Sequence, residues 1–171
     1  MGLDITAYRQ LQPAPQAELD SDGFPVDYDN FHHFSENIIE WTEKNWPGRT
    51  AGVAPGVYCA AESDRFRAGS YSGYNWFRNH LAKFAHGKDA EDLWDGEQTG
   101  PFVELINFAD NEGVIGPIVS AKLAQDFAEF EPKAPDYAAS IGVDGDYWLS
   151  SFTCWKRAFE LAADGGAVDF H

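Results

Sequence analysis

The sequence predicts a single-domain α+β protein, with one sheet of about four to five strands and three to four helices packed mainly on one face of it. Three observations support this class. The chain is 171 residues long, which is a usual size for one domain. Hydrophobic residues make up 44% of it and aromatic residues 15%, which is enough to build a core. Segments typical of strands alternate along the chain with segments of helical periodicity.

Strands are predicted where short runs alternate apolar and polar side chains or are rich in β-forming residues. Residues 3–8 alternate in this way and predict the first strand. Residues 56–63 predict a second strand, which residues 64–66 continue past a kink, and residues 102–108 predict a third. The tail, residues 167–171, predicts an edge strand.

Helices are predicted where apolar side chains recur every three or four residues. Ser35 is a candidate N-cap for a short first helix, and a Gly/Ser-rich turn at residues 68–73 leads into the second, which Gly87 ends. A third helix ends at Pro132 and a fourth at Gly165. The stripes on these helices predict the following core side chains: Phe77, Leu81, Phe84, Leu123, Phe127, Trp155 and Phe159.

Three segments predict loops within a single domain that spans residues 1–171. Residues 12–30 combine prolines and glycine with many acids, and they predict an acidic loop or excursion. Residues 110–116 and residues 132–145 also predict loops, because turn-forming residues replace the helical or alternating pattern there.

The charge of the chain excludes direct binding to nucleic acid. The chain carries 28 acidic and 12 basic residues, a formal net charge of −16, and would repel a phosphate backbone. The acids are spread along the whole chain. This favours a solvated acidic surface over a carboxylate array that mimics nucleic acid, although mimicry stays an alternative.

The remaining composition indicates a cytoplasmic protein without a cofactor. No apolar run approaches the length of a membrane span, and no signal-peptide pattern opens the chain. The two cysteines lack the spacing of a metal site, so we expect reduced thiols and no bound metal. The sequence leaves the oligomeric state open.

One segment departs from the general acidity and is the first candidate site. Residues 65–88 contain no acid, yet five of the twelve basic residues lie there, with aromatic residues between them. A Gly/Ser-rich turn that precedes a helix presents free N–H groups, which bind phosphate or carboxylate. The segment therefore predicts a site for an anionic or planar ligand.

Each candidate residue of this segment has a predicted role. Arg65 and Arg67 lie two apart, so on a strand they face the same side, and with Arg78 they would neutralise an anion. The rings of Tyr71 and Tyr74 would stack on a planar group. Asn75 would form hydrogen bonds with the edge of that planar group. Alternatively, the aromatic side chains belong to the core and the arginines pair with surface acids.

A second candidate is formed by carboxylates after the third predicted strand. Asp110 and Glu112, with Glu104 before them, could bind a metal, act as acid and base, or pair with the arginines. The alternative is a solvated loop. We predict that residues 66–78 and residues 104–112 meet in space and form one wall of a cleft. His32 and His33 read as surface histidines that point to opposite faces of a strand.

Four blocks of the chain resemble a family of uncharacterised bacteriophage and prophage proteins. They are MGLDITAY at residues 1–8, FRAGSYSGYNWFR at residues 66–78, ELINFADNEGVIGP at residues 104–117 and GAVDFH at residues 166–171. The family's version of the third block contains FSDCEG, whereas this chain has FADNEG, so a catalytic cysteine at Asn111 is excluded. The resemblance implies a small accessory protein made in the cytoplasm of the bacterial host.

These observations leave three functions open. We favour a stoichiometric accessory protein that binds a small anionic or planar ligand or a host protein over an enzyme, and counter-defence is one role that such a protein could have. The second function is a metal-assisted hydrolase of a phosphate-containing small molecule, in which Asp110 and Glu112 would hold the cation or activate water. The third is an acidic protein-interaction module or nucleic-acid mimic.

Overall fold

A computed structural model describes residues 2–94 and 98–171. Strands and helices alternate in it along the chain. The strands are β1 (Leu3–Arg9), β2 (Gln12–Pro13), β3 (His32–Phe34), β4 (Gly56–Cys59), β5 (Glu62–Gly69), β6 (Gly113–Ile115) and β7 (Ala167–Phe170). The helices are α1 (Glu36–Asn45), α2 (Tyr71–His86), α3 (Val103–Ile106), α4 (Pro117–Phe130), α5 (Ala134–Ile141) and α6 (Gly145–Ala162).

The strands form two antiparallel sheets, a large one in the order β5-β1-β7-β6 and a small one in the order β2-β4-β3. The predicted α+β class with a single domain is confirmed, but the strands divide between two sheets instead of one. The tail was predicted as an edge strand. It lies inside the large sheet instead, because β7 pairs with β1 on one side and with β6 on the other.

The predicted helix boundaries follow from capping residues. The Ser35 hydroxyl accepts a hydrogen bond from the Ile38 amide at 3.2 Å, and Ser70 caps α2 through the Gly73 amide at 3.1 Å. Gly87 ends α2 with a left-handed backbone, φ 66°, as glycine permits. The Gly/Ser-rich segment is therefore half turn and half helix, since α2 already begins at Tyr71.

Residues 102–108 do not form the predicted strand. Phe102 has a left-handed backbone, φ 60°, which ends any extended run, and the next four residues make the single turn of α3. The partly exposed positions of this run, Glu104 and Asn107, lie three residues apart, as on one side of a helical turn, although its Phe, Val and Ile residues are typical of strands. The strand of this region is β6, a buried segment that was predicted as a loop, and α5 likewise replaces a predicted loop.

The main core lies between one face of the large sheet and helices α2, α4 and α6. Most of the predicted core side chains are confirmed there as buried: Phe77, Leu81, Leu123, Phe127, Trp155 and Phe159. Phe84 packs against the same core but remains partly exposed. No helix within the described residues is both long enough and apolar enough to cross a membrane.

The opposite face of the large sheet is only partly covered. A smaller apolar cluster joins it to α1 and the small sheet, and it contains Tyr8, Phe34, Ile39, Val114 and Ala167. The side chains of β5 on this face are exposed. This uncovered part of the sheet, which we call the open face, carries the polar residues described next.

Candidate functional site

The acid-free segment is divided between the two sides of the large sheet. Phe66 faces the core and contacts Trp155, with ring centroids 5.1 Å apart. Because side chains alternate along a strand, Arg65 and Arg67 project from the open face instead. Arg78 belongs to α2 and lies on the core side. The predicted ligand residues therefore do not converge on one site.

Arg78 is a buried structural residue of the core side, only 4% exposed. Its guanidinium donates hydrogen bonds to the Phe108 carbonyl and to Asn75 Oδ1, and it lies 4.0 Å from Asp110 Oδ2. The Tyr74 ring lies beside it, 4.7 Å from the guanidinium carbon. These contacts join α2 to the segment that follows α3.

The other predicted ligand residues of α2 serve the same junction or the core. Burial raises the pKa of Tyr74 and leaves its ring no surface for a ligand. Asn75 donates to Asp110 Oδ2 at 3.3 Å. Tyr71 is partly exposed and packs against the main core. The two segments meet as predicted at Arg78 and Asp110, but Arg67 lies on the open face, so residues 66–78 do not form one wall of a single cleft with residues 104–112.

The carboxylates after α3 do not gather around one point. Asp110 faces Arg78 and Asn75, whereas Glu112 borders a surface depression at the start of α1. Glu104 forms an ion pair with Lys122 of α4. Across residues 2–94 and 98–171, no three His, Cys, Asp or Glu side chains are grouped so that they could hold a metal ion.

Arg78→Ala is expected to lower the free energy of unfolding by about 1.5–3 kcal/mol, because it removes buried charge-assisted hydrogen bonds. Arg67→Ala is the matched control: Arg67 is exposed on the open face, and its loss should change stability by less than about 0.5 kcal/mol. Urea denaturation of both variants measures the difference. Equal stability of the two variants would contradict the structural role of Arg78.

On the open face, strand register places polar side chains in two adjacent rows. Thr6 of β1 is paired with Arg65 of β5 on one side and with Asp169 of β7 on the other. In the neighbouring row, Asp4 is paired with Arg67 and exchanges two backbone hydrogen bonds with His171. Residues that are far apart in sequence therefore form one compact polar patch.

Burial and Arg65 determine the protonation of this patch. Burial raises the pKa of Asp169 to about 7, although the nearby Arg65 charge opposes the shift. Burial and Arg65 together lower the pKa of His171, whose Nε2 lies 2.9 Å from the buried Thr6 hydroxyl. Asp169 is therefore a carboxyl group that changes protonation near neutral pH.

One end of the patch opens into a depression of about 190 Å³ with mostly aromatic walls. Tyr8 and His32 pack against each other with ring centroids 4.2 Å apart, and Phe24 meets His33 edge-on at 5.2 Å. The excursion at residues 12–30 supplies part of this wall. The remaining lining residues are Pro25, Tyr28, Phe31, Arg65, Asp169 and His171.

The other end of the patch is a basic depression of about 400 Å³. Arg65 and Arg67 line it, together with Asp4, Ile5, Thr6, Phe66 and His171. Arg65 and His171 border both depressions, so the two are adjacent. We call the pair the sheet-face groove.

Sequence reasoning identified Arg65 and Arg67 but not their neighbours. In β7, Asp169 lies between the apolar Val168 and Phe170, and His171 follows the strand at the next alternate position, so this alternation was the available signal. Only the pairing of β7 with β1 brings them beside Thr6.

Comparison with known proteins adds no relative to this description. No protein-family model, curated protein or solved structure matches the chain. The function is therefore inferred from the chemistry of the groove itself.

Proposed function

We propose that this protein binds a small molecule with a planar ring and an anionic group in the sheet-face groove, and that it acts stoichiometrically. The observation that carries the proposal is the adjacency of a basic and an aromatic depression that share Arg65. With the sequence resemblance to bacteriophage proteins, this supports an accessory protein acting in the cytoplasm of a bacterial host.

The basic depression suits a compact anion. Arg65 and Arg67 lie two residues apart on a strand, so their Cα atoms are separated by roughly 7 Å and both guanidinium groups can reach one phosphate. Asp4 lies 3.9 Å from Arg67 and offsets part of its charge. The net charge of −16 repels extended polyanions, so a small ligand is favoured over nucleic acid.

The aromatic depression suits a planar ring. The rings of Phe24, Tyr28 and His32 line it, with the buried Tyr8 packed against His32, and stacking on aromatic side chains contributes about 1–3 kcal/mol for a nucleobase. Tyr28 is 60% exposed and Phe24 is 45% exposed, so both rings have apolar surface that a ligand would cover.

The hydrolase alternative has less support. It needs Asp110 and Glu112 to act together on a cation or a water molecule, and they face different neighbours. A host protein could also present the anionic group, in a side chain or a modified residue. The two depressions are small and concave, which favours a small molecule.

Arg65→Ala is expected to weaken binding of nucleoside monophosphates by about ten- to hundredfold, because it removes a charge-assisted contact from both depressions. Arg65→Lys should restore only part of the affinity if the contact is bidentate. Isothermal titration calorimetry with AMP, GMP, CMP, UMP and inorganic phosphate measures the effect.

The control variant is Arg157→Ala on α6, which removes an exposed arginine paired with Asp64 at 3.0 Å. It should bind as the wild type does. The proposal is wrong if none of the nucleotides binds the wild type, or if Arg65→Ala and Arg157→Ala bind equally well.

A further inference from the structure

We propose that Asp169 recognises the edge of the bound ring, and that this ring is a purine presenting two adjacent N–H donors, as guanine does. The inference rests on the proposed function, because it assigns the ligand of the sheet-face groove. It goes further by naming the base and the residue that selects it.

Asp169 is the one acid among the described residues that line the aromatic depression. Asp169 is paired with Thr6 on the neighbouring strand β1, and Thr6 is paired in turn with Arg65 on β5, so the three residues lie in one row. A ring lying between the aromatic side chains would therefore point one edge at this carboxyl group. Arg65, which borders both depressions, would then lie between the ring and the phosphate.

A carboxylate accepts hydrogen bonds and donates none. The Watson–Crick edge of guanine offers two neighbouring donors, N1–H and the 2-amino group, which match its two oxygens. The same edge of adenine offers one donor and one acceptor, so adenine would set an acceptor against an acceptor. A polar mismatch of this kind disfavours the wrong base by about ten- to hundredfold.

Arg65 favours the ionised form of Asp169 that this use requires, whereas burial opposes it. The groups that face it come from three strands and the tail: Thr6 and Tyr8 of β1, His32 of β3, Arg65 of β5, and His171. Burial and Arg65 lower the pKa of both histidines, which leaves Arg65 as the cation beside the carboxylate. Above about pH 7.5 Asp169 is mainly the acceptor that guanine requires.

The test compares GMP, AMP, IMP and XMP by isothermal titration calorimetry at about pH 8, where Asp169 is ionised. We expect the wild type to bind GMP about ten- to hundredfold more tightly than AMP, with IMP between them because it lacks the 2-amino group. Asp169→Asn should lose the preference for GMP. It should gain affinity for XMP, since an amide can donate to the xanthine 2-oxygen and still accept from N1–H.

Glu129→Gln is the control, because Glu129 is exposed on α4, outside the sheet-face groove, and its replacement should leave the GMP-to-AMP ratio unchanged. Equal binding of GMP and AMP by the wild type would overturn the inference. If Arg65→Ala still weakened the binding of both GMP and AMP, the proposed function would stand without the inference about Asp169. Absence of binding by all four nucleotides would overturn both. The ratio of GMP to AMP affinity in the wild type tests the inference even if Asp169→Asn folds poorly.

Discussion

Trp155→Ala is expected to lower the free energy of unfolding by about 3–5 kcal/mol, because it empties the centre of the main core. Trp155 is 1% exposed on α6. It joins the sheet to two helices through ring contacts with Phe66, Tyr74, Phe77, Phe159 and Phe170. Removing the indole removes all five of these ring contacts at once, and a well-packed core relaxes only partly around such a cavity.

Urea denaturation followed by tryptophan fluorescence and circular dichroism measures this loss. Trp155→Phe is the graded control, since it keeps an aromatic ring and should lose clearly less stability than the alanine variant. A loss below about 1 kcal/mol for Trp155→Ala would contradict the buried position of α6.

Asp169→Asn is expected to stabilise the protein relative to the wild type as pH rises, by up to about 4 kcal/mol above pH 7. Burial raises the native pKa of Asp169 to about 7, whereas the ordinary value is 3.8. Between these values the native state binds more protons than the unfolded state, so wild-type stability falls as pH rises. Below about pH 4 the carboxyl is protonated in both states and this difference disappears.

The measurement is the difference in melting temperature between variant and wild type, taken at about pH 4 and again at about pH 8. We expect it to grow by up to roughly 10 °C for a domain of this size. Glu129→Gln, an exposed position of α4, should show no such change. A difference that shrinks with rising pH would mean that Asp169 is stabilised in its ionised form. An ionised Asp169 that destabilises the free protein is expected if this residue was selected for ligand binding and not for stability.

Local patterns in the sequence predicted the elements that have a clear period. The side chains of β1 alternate between apolar and polar because every second one points into the main core and the others lie on the opposite side of the sheet. The helices α2, α4 and α6 carry continuous apolar stripes. Ser35, the N-cap of α1, and Gly87, the C-cap of α2, were predictable for the same local reason. The sequence predicts a helix or strand boundary when the residues that determine it lie within a few positions of that boundary.

Two short elements in the middle of the chain were not predicted correctly. Within residues 102–108 the partly exposed Glu104 and Asn107 lie three apart, which is a helical spacing, but the Phe, Val and Ile side chains around them favoured a strand. β6 is buried at all three of its positions, so it shows no contrast between a wet and a dry side, and it was predicted as part of a loop. Their identity is settled by tertiary packing, including the left-handed Phe102 and its contact with Phe127.

The candidate site was predicted only in part because its residues meet through strand pairing. The acid-free segment is continuous in sequence, but it runs from an edge strand through a turn into a helix on the opposite side of the sheet. Arg65 and Arg78 therefore lie on opposite sides of the large sheet. Asp169 approaches Arg65 only because β7 inserts next to β1, and this long-range pairing leaves no local mark on the sequence.

The position of β5 at the edge of the large sheet also bears on how fast a ligand would arrive and leave. An edge strand leaves the groove accessible from the side, so a small anion reaches Arg65 and Arg67 without displacing the core. Arrival is then governed by diffusion and by local charge, and ligands differ mainly in their dissociation rates. The contacts made after arrival, on the aromatic walls and at Asp169, would set the residence time, on which a protein that sequesters its ligand depends.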